Sequence, residues 1–346
     1  MNWDNLLKKR DQYAEVIRQM LCSSGGVTPA FSNDIHEARA LGFLSISNWK
    51  ELSLFLNVSP LKIERLINFP NYKEFTIPKK KGKPREICQP DAELMKIQKK
   101  LNSYLQSVYY FQLPECVHGF IPKSYKNPRN IISNALPHVN KDSILSLDIE
   151  NYFPSIRAKR IFELFHSWGF SQEISTALTL ICTYKGSLPT GAPSSPILSN
   201  LCSIQLDLDL MKLSELHQLS YTRYADDLTF SSHSFITDST IIELMNCIKS
   251  NGFSINKRKV RCLGQNRKQK ITGIVVNKKI SVDRQTKKKL RAIMYDIKIN
   301  GLDHATKRNY GLQSFPSEAE QQTFIKKVLG IQSFLKMVEN HRFGMG

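Results

Sequence analysis

After Asp91, apolar residues return every three or four positions. Leu94, Ile97, Leu101, Leu105 and Val108 form one stripe, which predicts a helix capped by Asp91. Just upstream, Lys73–Cys88 alternates apolar and polar residues around KKKGK, the pattern of a basic β-hairpin. Residues 1–70 read as short helices, among them Ser47–Phe55 and Ser59–Ile67, parted by NVSP. Downstream, DSILSLDI (Asp142–Ile149) is an apolar strand ending on Asp148, and a helix over Ala158–Trp168 follows. The segment Leu188–Leu210 opens on Gly and Pro and continues as one long amphipathic run. Ser194 or Ser195 is its expected N-cap, with Pro196 in the first turn. LSYTRYADDLTFSS (Leu219–Ser232) reads as two short strands meeting at Asp226 and Asp227. Gly252–Ile255 and Ile271–Val276 read as further strands, and helices over about Gln285–Ile299 and Glu320–Glu339 close the chain. The order predicts an α+β fold, a central sheet with helical pieces at both ends.

Charge changes this picture. The 346 residues carry 49 Lys+Arg against 30 Asp+Glu, a formal charge of +19. Asn256–Arg291 alone holds fourteen bases and one acid, Asp283, and Tyr72–Glu86 holds six bases and two acids. Such blocks repel themselves unless a polyanion neutralises them, which points to a nucleic-acid partner. No apolar run is long enough to span a membrane, and MNWDNLLKKRDQY lacks a signal-peptide core, so a cytoplasmic protein without a membrane partner is expected. The seven cysteines are scattered and never at CxxC spacing, which argues against a zinc ribbon or a disulfide framework.

Against this basic background the paired aspartates need a reason. Nucleotidyl transfer uses two divalent ions about 4 Å apart, held by hard carboxylate oxygens on rigid neighbouring elements. Asp148 at a strand end and Asp226/Asp227 at a hairpin tip would serve if their strands were adjacent, although they lie 78 residues apart. Taken alone, a doubled Asp at a hairpin is more often a solvated turn.

Context resolves the choice. Tyr224-Ala225-Asp226-Asp227 resembles the YxDD signature of reverse transcriptases, and other landmarks follow in order. IPKKKGKPREI (Ile77–Ile87) resembles the basic fingers hairpin and SLDIENYF (Ser146–Phe153) the first metal-binding strand. LPTGAPSSPILSN (Leu188–Asn200) resembles the loop and helix under the incoming nucleotide, and GFSINKRK (Gly252–Lys259) the basic turn beyond the hairpin. NALPH (Asn134–His138) and ITGIVV (Ile271–Val276) are similar to elements of bacterial retron reverse transcriptases. The likeness runs from Lys73 to Val276. It implies a right-hand polymerase: an N-terminal helical segment over 1–70, fingers and an antiparallel palm over 71–276, and a helical RNA-binding thumb over 277–346.

The resemblance also implies roles. Asp148, Asp226 and Asp227, with the Ile149 carbonyl, would hold two Mg²⁺ ions, for which Mn²⁺ can substitute. Phe153 would be the steric gate that selects dNTPs, though a plain core position beside Tyr152 is its rival reading. Arg85, with Lys81 and Lys83 as helpers, would contact the triphosphate, and Lys259 would protonate leaving pyrophosphate. Gly191 and Ala192 would let backbone approach the nucleotide and templating base. Thr190 departs from the family's usual Gln and reaches less far toward the sugar. Asn134, His138, Thr272, Gly273, Lys287, Lys288, Lys289 and Arg291 would face RNA. The implied activity is copying part of a cognate structured non-coding RNA from a 2′-hydroxyl primer into branched, RNA-linked DNA (msDNA), in anti-phage defence. Host RNase H would trim the template, and an effector or toxin from the same locus would be a partner. A group-II-like or other bacterial reverse transcriptase, or an RNA-binding scaffold restraining an effector, are the alternatives.

Overall fold

The computed structural model describes residues 2–24, 32, 34–78, 84–122 and 128–343. Four helices come first: α1 (Trp3–Ser24), α2 (Ile35–Leu44), α3 (Trp49–Leu56) and α4 (Pro60–Asn68). Asp34 caps α2 by accepting the amides of His36 and Glu37, and Asn48 caps α3 by accepting that of Glu51. Strands β1 (Tyr72–Ile77) and β2 (Arg85–Pro90) form the expected antiparallel hairpin, in register from Tyr72↔Pro90 to Ile77↔Arg85. Lys81 and Lys83 lie outside the described residues. Helix α5 (Ala92–Tyr110) starts where Asp91 accepts the Leu94 amide at 2.9 Å, and all five residues of its predicted stripe are buried.

The centre of the molecule runs α6 (Ile131–Ala135), β3 (Ser143–Asp148), α7 (Tyr152–Ser155), α8 (Ala158–Ser167), α9 (Gln172–Cys182), α10 (Ser195–Cys202) and α11 (Ile204–Leu216). It continues through β4 (Ser220–Tyr224), β5 (Asp227–Ser232), α12 (Asp238–Ser250) and β6 (Arg261–Gly264). The four strands make one antiparallel sheet in the order β4-β5-β3-β6. Two expectations are corrected. The long run after Pro193 is two helices, broken at Ser203; Ser194 takes the expected N-cap position of the first but makes no side-chain capping bond, and the Ser195 hydroxyl donates to the Pro189 carbonyl. Gly252–Ile255 is not a strand. The chain is still turning off α12 at Gly252, and only Ile255 bridges to Ile149 at the end of β3.

Beyond the sheet, β7 (Lys270–Ile271), β8 (Ile274–Val275) and β9 (Ser281–Val282) form a small antiparallel sheet, followed by α13 (Arg284–Tyr310) and α14 (Glu318–Phe343). The strand predicted over Ile271–Val276 folds back on itself at Thr272 and Gly273, both at positive φ. Helix α13 outruns its prediction and is two helices end to end, parted by Gly301 at φ 80° and ψ 168°. One apolar core joins Leu6, Phe43 and Phe55 of the N-terminal helices to Leu145, Leu147, Leu228 and Phe230 of the central sheet. The described N-terminal helices thus share the core of the central sheet. A second core ties Ile132 and Ile144 to Ile274, Val282 and Leu335, and a third lies between α13 and α14 around Phe324.

Candidate active site

Sheet order decides which acids meet. Because β3 pairs antiparallel with β5, Asp148 falls directly opposite Asp227. The turn from β4 to β5 puts Ala225 at φ 58°, and the Ile149 amide donates to the Asp226 carbonyl at 3.0 Å, fixing the strand end beside the turn. The Asn256 amide donates to the Asp148 carbonyl at 2.9 Å, which brings in the basic turn that follows. Lys259 of that turn reaches back, its Nζ 2.6 Å from Asp148 Oδ2.

Crowding three carboxylates on one sheet end perturbs them. Burial raises the Asp226 carboxyl above its usual range and Asp148 adds to the rise, while Lys259 and Arg85 pull it down. Asp227 opens to solvent, yet desolvation by the surrounding protein, with Asp226 and Asp148 beside it, pushes it up to about 6. Carboxylates so arranged favour a nearby positive charge, and the Lys259 ammonium supplies one on Asp148. Among the described residues no three His, Cys, Asp or Glu side chains converge as a ready-made metal cage. Reverse transcriptases use divalent metal ions, which hard carboxylate oxygens bind. Asp148, Asp226 and Asp227 supply the hard oxygens such ions need.

The fingers hairpin is stitched to this centre. The Cys88 amide donates to the Thr190 carbonyl at 2.7 Å, and Gly191 (φ 119°) leaves no room beside β2. A Cβ there would lie 2.9 Å from Ile87 Cγ2 and 3.1 Å from the Cys88 carbonyl oxygen. The fingers strand thus passes close beside Gly191. Ala192 beyond it is buried. Arg85, exposed at the start of β2, is near enough to lower the Asp226 pKa. Phe153 lies half-buried in α7, its ring 5.7 Å from that of Tyr152. Tyr152 is the core residue of the pair.

Several residues expected at RNA have other duties. His138 is fully buried, with Nδ1 2.6 Å from Ser231 Oγ and Nε2 2.8 Å from Thr222 Oγ1. Burial lowers its pKa to about 3, so it is a neutral strut behind the sheet rather than an RNA contact. Asn134 is buried with it, its carbonyl accepting from Thr222 at 3.3 Å. The Thr272 hydroxyl donates to the Ile131 carbonyl at 3.2 Å, and Gly273 faces Phe334, so this turn fastens α6 to α14. Lys287 pairs with Glu339 at 3.0 Å, whereas Lys288, Lys289 and Arg291 stand exposed on α13.

What the sequence reading missed is a buried hub under the turn. Arg223 and Asp207 are both fully buried, and Arg223 Nε and Nη2 donate to the two Asp207 oxygens at 2.7 and 2.6 Å. Arg223 Nη1 donates to Tyr152 Oη, Asn200 Oδ1 and the Ala225 carbonyl at 3.0, 2.9 and 3.2 Å. Asn200 Nδ2 in turn donates to the carbonyls of Gly119 and Phe120 at 2.9 and 3.0 Å. The signal was there: an arginine inside a strand of buried neighbours needs an acid, and QLDLDL supplies one.

A β-hairpin carrying two acids beside a third on the adjacent strand, flanked by a basic hairpin, is the palm and fingers of a right-hand polymerase. The family described as reverse transcriptase (RNA-dependent DNA polymerase) matches residues 77–276. The chain therefore belongs to the reverse transcriptases and is an RNA-directed DNA polymerase. It is 34% identical over 268 residues to the retron Ec86 reverse transcriptase of Escherichia coli, covering 75% of this chain and 81% of that protein. It is 30% identical over 250 residues to the retron Mx65 reverse transcriptase of Myxococcus xanthus, covering 65% and 56%. Its branch of the family is that of the bacterial retron reverse transcriptases. Among solved structures, a telomerase of Candida albicans in complex with a fragment of telomeric RNA aligns at a TM-score of 0.45 and 12% identity, over 78% of this chain and 56% of that one. No helix among the described residues is long and apolar enough to cross a membrane.

Proposed function

We propose that this chain copies part of a cognate structured non-coding RNA into msDNA, starting from an RNA 2′-hydroxyl, as an element of anti-phage defence. The observation that carries the polymerase chemistry is the register that sets Asp148 opposite Asp227, with Asp226 tied to Ile149. In this reading the three aspartates and the Ile149 carbonyl would hold two Mg²⁺ ions, whose charge would ease deprotonation of the priming hydroxyl and offset that of the leaving pyrophosphate. Arg85 engages the triphosphate, for which a guanidinium's bidentate geometry is suited. Lys259, already on Asp148, shifts to the leaving group as substrate arrives. Phe153 presses on the 2′ carbon of the nucleotide, and Thr190 lies beside it with a shorter reach than the family's glutamine. Lys288, Lys289 and Arg291 grip the RNA backbone from a thumb formed by α13 and α14, since A-form RNA is held through phosphates and shape. Host RNase H and an effector from the same locus complete the system in the cytoplasm.

The test is the nucleic acid that co-purifies from the native host, divided between RNase and DNase digestion and then treated with a debranching enzyme. A short DNA joined to RNA through a 2′–5′ branch, absent from an Asp226→Asn strain, is expected. RNA without branched DNA, from a protein that still extends ordinary primers, would refute the retron-type product while leaving the polymerase intact.

A further inference from the structure

Phe120 is an expensive residue to keep. It is an aromatic residue at φ 56°, in a backbone region where bulky side chains are strained, and 39% of its surface is exposed. The surroundings hold it there. Gly119 is pressed against the backbone of Tyr224 and Ala225, and the Asn200 amide clamps both the Gly119 and the Phe120 carbonyl. Asn200 is itself fully buried and held by Arg223. The conformation of Phe120 is thus dictated by the hub beneath the aspartate turn. The ring that results lies 6.0 Å from that of Phe153, tilted by 33°. Phe153 therefore has two aromatic neighbours, Tyr152 anchored in the core and Phe120 at the surface.

A steric gate discriminates only if it cannot retreat. A ring free to rotate or slide by a fraction of an ångström would yield to the extra hydroxyl of a ribonucleotide. We infer that Phe120 is a specificity-determining residue: it braces Phe153, so that the preference for deoxyribonucleotides is set by the pair of rings rather than by Phe153 alone. This rests on the reading of Phe153 as the sugar gate. The buried network thus holds an exposed ring in place beside Phe153.

The experiment is single-nucleotide incorporation on an RNA template with a DNA primer, measuring kcat/KM for a dNTP and the matching rNTP. Wild type, Phe120→Ala, Phe120→Tyr and Phe153→Ala are compared. Phe120→Ala is expected to lower the dNTP/rNTP ratio about two- to tenfold, the range an aromatic pair contributes, chiefly by raising kcat/KM for the ribonucleotide. Phe120→Tyr, which keeps the ring, is expected to retain the wild-type ratio. An unchanged ratio in Phe120→Ala beside a collapsed one in Phe153→Ala would overturn the brace and leave the gate standing. An unchanged ratio in both would overturn the gate and the brace together. Should Phe120→Ala lose the folded state, Phe120→Leu keeps most of the apolar volume without a flat ring, and the same comparison decides.

Discussion

Replacing Gly119 with alanine adds one methyl group at the point where residues 116–120 lean on the catalytic turn. A Cβ there would lie 2.7 Å from the Ala225 amide nitrogen, 3.2 Å from the Tyr224 carbonyl carbon and 3.3 Å from its Cα. All three atoms are backbone, so no side chain can swing aside, and ordinary contact begins only at 3.4 Å. Either the segment lifts, straining the His118 amide to Arg223 carbonyl bond (2.9 Å) and its partner from Arg223 to Cys116 (2.8 Å), or the turn carrying Asp226 shifts. Overpacking of this kind costs about 1–3 kcal/mol, tolerable against a total stability of about 5–15 kcal/mol. Displacing a catalytic group by about 1 Å costs about a hundredfold in rate. A shift of part of that distance predicts a drop in kcat of roughly ten- to a hundredfold in a protein that still folds. Primer extension under saturating dNTP reads the rate, and thermal melting reads the fold. Gly330→Ala is the matched stability control: it lies in α14 with nothing within 4 Å of the added atom, and gains about 0.5–1 kcal/mol from helix propensity. Wild-type kcat in Gly119→Ala would refute the claim that this segment seats the turn.

Two further expectations concern stability. Asp207→Asn leaves the Arg223 charge buried without its counter-ion and should cost about 3–5 kcal/mol in urea unfolding, whereas Asp207→Leu with Arg223→Met should recover much of it; equal costs for both would show that the charge pairing is immaterial. His138, neutral and held near pKa 3 when folded, binds a proton from about pH 6.5 downward only in the unfolded chain, so stability falls by about 1.4 kcal/mol per pH unit from there toward pH 3. The slope of unfolding free energy against pH between 5 and 6.5 should flatten in His138→Gln, and an identical slope would sink the assignment.

The legible parts of this molecule are those whose causes are local. The stripe after Asp91, the alternation around KKKGK and the strand ending on Asp148 declare their elements because periodicity and caps act within a few residues. The Asp148–Asp227 meeting needed family resemblance, since nothing local says that β3 and β5 are neighbours. The break at Ser203 was invisible, having neither Gly nor Pro to mark it. Resemblance places NALPH at RNA, whereas the fold buries His138 against Thr222 and Ser231, 84 and 93 residues away. Resemblance has Gly191 let backbone approach the nucleotide, and only the stitching of β2 to the Thr190 carbonyl shows that a fingers strand also passes there. In each miss the partner, not the residue, was the unknown.

The shared core has a consequence for synthesis. Trp3 packs on Trp168, Arg10 hydrogen-bonds the Trp168 carbonyl, and Phe43 meets Trp168 and Phe170 edge-on. Those partners are made late. At about 5–20 residues per second a ribosome needs roughly 8–30 s to get from the first helix to the residues that cover it. For that time the apolar edge that Trp168 and Phe170 later cover stays open to chaperones or to neighbouring chains, even once Phe55 has met Phe43 and Tyr104. An enzyme begun at its N-terminus is, in folding terms, closed from its middle.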